Sequence, residues 1–244
     1  MSIKGVIMKW FIFLLLLFPP LVSADIVTFI QPSTAAFSCD PYDPCQHFEG
    51  AGYDNSETWT ENLNEATINE DYTTNPGEGA QSLYILDGGT DGTVQKVFTV
   101  EHADGATTGV HFMLRIITGT ALDNAFFKLM DGLSIAAYVY LDTEGYLSAQ
   151  HGTVARTNGS TNLETAATWF HVWAEWTTAN GGSNGTLAVY ISATGTKPGS
   201  PEINITNGDG DYPGIDRIEF KAVGQICFVV DQVLVDNAAI GNVP

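Results

Sequence analysis

The chain has 244 residues, 44% of them apolar, with 28 acidic against 9 basic side chains and a formal net charge of −19. A field of that sign repels phosphate backbones, which excludes nucleic-acid binding by counterion release. The length suits one β-sandwich domain, able to bury about 70% of its unfolded surface, and no Pro/Ser-rich linker, repeat or long charge run divides it.

Lys4 and Lys9 precede an apolar run from Trp10 to Phe18, followed by Pro19-Pro20 and the small-residue stretch Val22-Ser23-Ala24. Charged, apolar and cleavage regions in that order predict a signal peptide over residues 1–24, cut before Asp25, and a secreted, extracellular protein. The apolar run is shorter than the ~20 residues that cross hydrocarbon, so no membrane span is expected after cleavage. Without Lys4 and Lys9, 7 basic residues face 28 acidic ones, a charge of −21.

Residues 25–47 form an N-terminal segment. Within it Cys39 and Cys45 bracket Asp-Pro-Tyr-Asp-Pro, a turn-rich loop that a disulfide would close in an oxidising compartment. Cys227, inside Ile226-Cys227-Phe228-Val229-Val230, reads as a small buried apolar residue. The sandwich domain is expected over residues 48–244, opening at Phe48-Glu49. Ala51 to Gly79 is polar and is predicted to cover one end of the sandwich, with Trp59 anchored in the core.

Strand signals then arrive regularly, as short alternating runs bounded by Gly, Asn and Asp turns. They fall at Ser82–Leu86, Val94–Val100, Val110–Ile116, Ile135–Leu141, Tyr146–Gln150, Ile218–Phe220 and Ile226–Val235. Ala121 to Met130 is predicted to hold a helical turn or two, and Asn158–Asn162 a loop. The stretch Thr168–Ser192 reads as a β-hairpin. Phe170, Val172, Ala174 and Trp176 fall on one side of its first strand, and Trp169, His171, Trp173 and Glu175 on the other, because side chains alternate along a strand. About ten such strands and almost no helical periodicity predict an all-β, two-sheet antiparallel sandwich.

Three blocks carry a family resemblance: Tyr138-Val139-Tyr140-Leu141-Asp142-Thr143-Glu144-Gly145; Thr168-Trp169-Phe170-His171-Val172 with Asn184-Gly185-Thr186-Leu187; and Phe228-Val229-Val230-Asp231-Gln232-Val233-Leu234-Val235. Together they resemble the concanavalin A-like lectin/glucanase superfamily, nearest its laminin-G-like branch, over about Phe48 to Gly241. The resemblance implies a jelly roll with ligand on the concave sheet face or its rim. Members include lectins, glucanases, polysaccharide lyases and adhesion domains, so fold leaves activity open.

Arg115, Tyr138, Tyr140, His171, Trp173, Glu175 and Tyr190 are expected to project from the polar strand faces. With Tyr212 they form a candidate glycan surface: aromatic rings pack on the C–H faces of a pyranose, and charged groups satisfy its hydroxyls. For catalysis, His171 with Glu175 and Tyr140 is the candidate acid/base group, but Glu175 has no acidic partner two or four residues away, as paired-carboxylate glucanases need. For calcium there are two candidates. Asp209 and Asp211 lie in an Asn-Gly-Asp-Gly-Asp turn that fails the EF-hand spacing. Glu49 and Asp231 match, residue by residue, the early Phe-Glu and late strand Asp that share a structural calcium in jelly-roll carbohydrate-binding modules. Asn158, Asn184 and Asn204 begin glycosylation triplets.

The expected function is a secreted, non-catalytic carbohydrate-binding or adhesion module whose partner is a glycan or polysaccharide. Two alternatives stay open: a polysaccharide-degrading enzyme on the same face, and a structural surface or virion-associated protein without a small ligand. Oligomeric state is not readable from the sequence.

Overall fold

The computed structural model describes residues 39, 42–49, 52–53, 58–63, 66–87, 91–103, 105–118, 124–164, 168–178, 184–208, 214–224 and 226–243. The expected signal peptide lies outside them, as do Asp209, Asp211 and Tyr212. In chain order the strands are β1 (Cys45–Gln46), β2 (Thr60–Asn62), β3 (Thr67–Tyr72), β4 (Ser82–Leu86) and β5 (Gly92–Ala103). Next come β6 (Thr107–Thr118), β7 (Asn124–Asp131), β8 (Ser134–Leu141), β9 (Tyr146–His151) and β10 (Thr157–Asn162). The last five are β11 (Phe170–Thr177), β12 (Gly185–Ser192), β13 (Ile203–Gly208), β14 (Gly214–Ala222) and β15 (Cys227–Asp236).

Two antiparallel sheets result. The first runs β13-β12-β11-β6-β15-β4-β3, with β1 paired to β15; the second runs β10-β9-β8-β7-β14-β5-β2. Period-two alternation decides what lies between them. Phe170, Val172, Ala174 and Trp176 of β11 point into the core, as do Val110, Phe112, Leu114 and Ile116 of β6. Phe112 bridges the layers, its ring centroid 4.9 Å from Phe127 and 5.3 Å from Phe220 on the second sheet. Trp59 is in the core as expected.

β15 needs one irregularity to serve this interior. Its register against β6 shifts between Asp231 and Leu234, and Gln232 there has φ +46°. A bulge adds one residue and restores the alternation beyond it. Val230, Val233 and Val235 therefore all reach the core. Asp231 and Leu234 are left on the other face, and both are fully buried.

Three expectations are corrected. Residues 124–131 are strand rather than helix; two register shifts against β8 break the period-two signal in Phe126-Phe127-Lys128-Leu129-Met130. Thr157–Asn162 is an edge strand rather than a loop, and a strand partnered on one side with no apolar face shows no periodicity. The 51–79 region supplies an edge strand to each sheet, β2 to the second and β3 to the first, and its last residues lie over the outer face of the first sheet.

Cys39 and Cys45 form a disulfide, while Cys227 is buried and belongs to no disulfide. Denatured, unreduced protein is expected to show one reactive thiol; three would remove the cross-link. Phe112→Ala, at a site with no exposure, is expected to lower unfolding free energy by about 3–5 kcal/mol in urea titration, from lost burial and the cavity left behind.

Candidate functional site

The predicted ligand residues do not share one surface. Arg115, His171, Trp173, Glu175 and Tyr190 stand on the outer face of the first sheet, whereas Tyr138 and Tyr140 stand on β8 in the second. Those tyrosines stack at 5.6 Å, Arg156 lies 4.7 Å above the Tyr140 ring, and the Tyr140 hydroxyl donates to Gln150. A single site using both groups is therefore ruled out, and with it the acid/base group of His171, Glu175 and Tyr140.

Trp173 is the second correction. It turns away from the inter-sheet core, as its position in the alternation requires, yet its exposure is 0%. The C-terminal segment covers it. Trp173 Nε1 donates to the Gly241 carbonyl at 3.0 Å. Lys197 ion-pairs with Glu175, donates to the Ile240 carbonyl and lies 4.2 Å above the Tyr190 ring. The Asn242 side chain accepts from the Lys197 amide, and Val243 N–H donates to Gly195. A Cβ at Gly109 would stand 2.2 Å from the Ala238 carbonyl, so only glycine admits the segment this closely. Asn237-Ala238-Ala239-Ile240-Gly241-Asn242-Val243 has no period, which is why the sequence did not show it as a cover.

Beside Trp173 lie two buried histidines, His111 Nε2 and His171 Nδ1 being 3.1 Å apart. Burial holds His111 well below the ordinary imidazole value of 6.5, and the neighbouring His171 pushes it the same way. Burial lowers His171 also, opposed by the Glu78 charge. The Glu78 carboxylate accepts from His47 Nδ1 at 2.9 Å.

Glu49 and Asp231 converge on one segment. Asp231 Oδ2 accepts the Gly77 and Glu78 amides at 3.0 and 2.8 Å, and Oδ1 accepts Gln232 N–H. Both Glu49 oxygens accept the Ala80 amide. Burial pushes the Asp231 carboxyl well above its usual range, and these backbone donors pull it back. Two hard oxygen donors flanking one short segment are the right kind of ligands for calcium, although here their oxygens face N–H groups. Among the described residues, the one group of three metal-ligating side chains close enough to share an ion is Cys39, Cys45 and His47, whose sulfurs are joined in the disulfide.

What remains open on this face is a different row. Extending the β11–β6 register one residue places Trp169 opposite Arg115; Arg115 pairs with Val229, Val229 with Tyr84, and Tyr84 with Asn69. Five neighbouring strands at about 4.8 Å spacing make a row roughly 19 Å long. Trp169, Arg115 and Tyr84 are half-buried, Asn69 is exposed, and Val229 lies beneath them. Tyr72 stacks on Tyr84 at 4.7 Å. Trp169 Nε1 and Arg115 Nη1 both donate to the Asn75 carbonyl, at 3.2 and 3.3 Å. Trp169 belonged to the polar side of the hairpin in the sequence, but Tyr72 and Tyr84 carried no signal of their own.

A separate cavity of about 530 Å³ lies near the other end of the first sheet, lined by Asp43, Glu101, His102 and Asp236 with Val100 and Val235. His102 is held neutral by burial and bonds Thr108 through Nδ1.

No protein-family profile and no curated protein matches the chain. Solved structures do match it. Cellulose-induced protein Cip1 aligns with TM-score 0.59 and 14% identity, over 81% of this chain and 98% of that one. The Ca²⁺/Man3GlcNAc-bound exoplasmic/lumenal domain of VIP36 aligns with TM-score 0.52 and 8% identity, over 82% and 92%. The binding domain of Botulinum Neurotoxin DC in complex with SialylT aligns with TM-score 0.52 and 12% identity, over 81% and 48%. The chain shares the two-sheet antiparallel β-sandwich fold of these structures. It spans about half the length of the toxin binding domains it matches, 49% for Paraclostridial Mosquitocidal Protein 1. Identities this low establish architecture and leave the ligand to the side chains.

The buried histidines set a pH dependence. His111, His171 and His102 have folded-state values below 6.5, so the unfolded chain binds more protons and stability is lost as pH falls below about 6.5. Asp231, raised in the fold, works in the opposite direction. Melting temperature is expected to drop on acidification through that window. His111→Phe, which keeps a ring and removes one titrating group, should flatten the slope.

Proposed function

We propose that the protein is an exported, non-catalytic glycan-binding module that seats a saccharide chain along Trp169, Arg115, Tyr84 and Asn69. The carrying observation is the row itself: rings at Trp169 and Tyr84, a guanidinium between them and an exposed amide at its end, all on the outer face of the first sheet with Trp169, Arg115 and Tyr84 half-buried. Aromatic faces take the C–H sides of pyranose rings, while Arg115 and Asn69 answer hydroxyls. Two of the matched structures have saccharides named in their descriptions, Man3GlcNAc and SialylT, which supports this reading. The Cys39–Cys45 disulfide suits the oxidising compartment to which the leader would send the chain.

Among the described residues, the acid/base group expected from the sequence is not brought together: Glu175 is ion-paired to Lys197, and His171 is packed against His111. Calcium belongs to the proposal as a structural ion. Glu49 and Asp231 would hold it, and its chemistry would be to neutralise a buried carboxylate beside the 77–80 segment. A chelator is then expected to lower the melting temperature; an unmoved transition removes the ion from the reading.

A glycan array with wild type, Trp169→Ala and Trp173→Ala tests the placement. Trp169→Ala is expected to weaken binding by about tenfold, the scale of one lost aromatic platform, with a smaller fall in melting temperature than Trp173→Ala. Trp173→Ala should lower the melting temperature first. Release of reducing or unsaturated ends from a polysaccharide would instead establish the enzyme.

A further inference from the structure

Resting on the glycan-binding reading, we infer that the saccharide carries an isolated anionic group, a carboxylate or a sulfate ester, which docks on Arg115. The argument starts from cation use. Outside the leader the chain has seven Lys and Arg. Lys128 pairs with Glu219, Lys197 with Glu175, Arg217 with Asp216 and Lys221 with Asp91. Arg156 packs on Tyr140, and Lys96 is buried with an interaction of its own. Arg115 differs: among the described residues its hydrogen-bond acceptor is a neutral carbonyl, that of Asn75, and its Nε is buried with no acceptor.

In a chain with 28 acidic residues, a half-buried guanidinium without a carboxylate is unusual, since opposite charges are in large excess. One of five N–H donors is used on Asn75, so the head is held in place while donors remain for a planar anion. The flanking rings, Trp169 on one side and Tyr84 beyond Val229 on the other, would contact neutral sugars. The global charge narrows the class further. A field from −19 opposes a densely charged polyanion, so the fitting ligand has one anionic sugar among neutral ones.

The experiment is calorimetric titration of the full chain with three probes: a neutral oligosaccharide carrying one uronic acid, its methyl ester, and the same backbone with one sulfate ester. Wild type is expected to bind the acid at least about tenfold more tightly than the ester, the scale of a charge-assisted hydrogen bond. Arg115→Gln should lose the acid-over-ester preference, binding the two alike and the acid at least about tenfold more weakly than wild type does, while Arg115→Lys, which keeps the charge, should restore part of that preference. A preference for the sulfate supports the same site and assigns the anion. Equal binding of acid and ester by wild type overturns the anionic inference and leaves glycan binding intact. Failure of all three probes, and of a neutral glycan panel, overturns both.

Discussion

β11 and β15 are apolar or buried on both faces, and a two-layer sandwich covers only one of them. That mismatch governs the molecule. The inner face of the first sheet meets the second sheet through Phe112, Phe127 and Phe220. The outer face must be closed by chain that is not strand. Two segments do so: residues 75–80, held by Asp231 and Glu49, and residues 237–243, held by Trp173 and Lys197. His111, Asp231 and Trp173 form a band with no exposure, and that burial lowers the His111 value and raises that of Asp231.

The same closure decides where a ligand can sit. Between strands the outer face has equivalent rows, each a line of side chains at one register level. The Tyr190–Trp173–His111–Leu234 row lies under the C-terminal segment, and the His171–Met113–Asp231 row lies beneath Gly77 and Glu78. One level further, Trp169–Arg115–Val229–Tyr84 meets the border of a covering segment, at the Asn75 carbonyl and, for the Trp169 ring, at Gly77. Asn75 itself adopts φ +59°, a left-handed turn that Asn tolerates and that lets one carbonyl serve two donors. The open row is therefore a product of where two loops stop.

Asp231 shows how one residue can link fold and site. Alternation after Val230 turns its carboxylate outward, and the bulge at Gln232 returns Val233 to the core beyond it. A lone buried carboxylate is costly, and three backbone N–H groups offset that cost. Two of these donors belong to the segment that borders the Arg115 row. Stability of the strand and the course of the segment beside the Arg115 row thus share one set of hydrogen bonds.

The sequence by itself determined the class, the hairpin, the core side of β6, β11 and β15, and the disulfide loop, because alternation and turn residues are local properties. It misread β7, where bulges broke the period, and gave no sign of β10, whose edge position asks for none. It also placed Trp173 on the correct face and wrongly left it open. Which face a residue points to is set by the two-residue repeat of its own strand. Whether that face is covered depends on residues 68 positions away, as with Trp173 and Gly241, and no local pattern encodes a contact made by an aperiodic segment folding back.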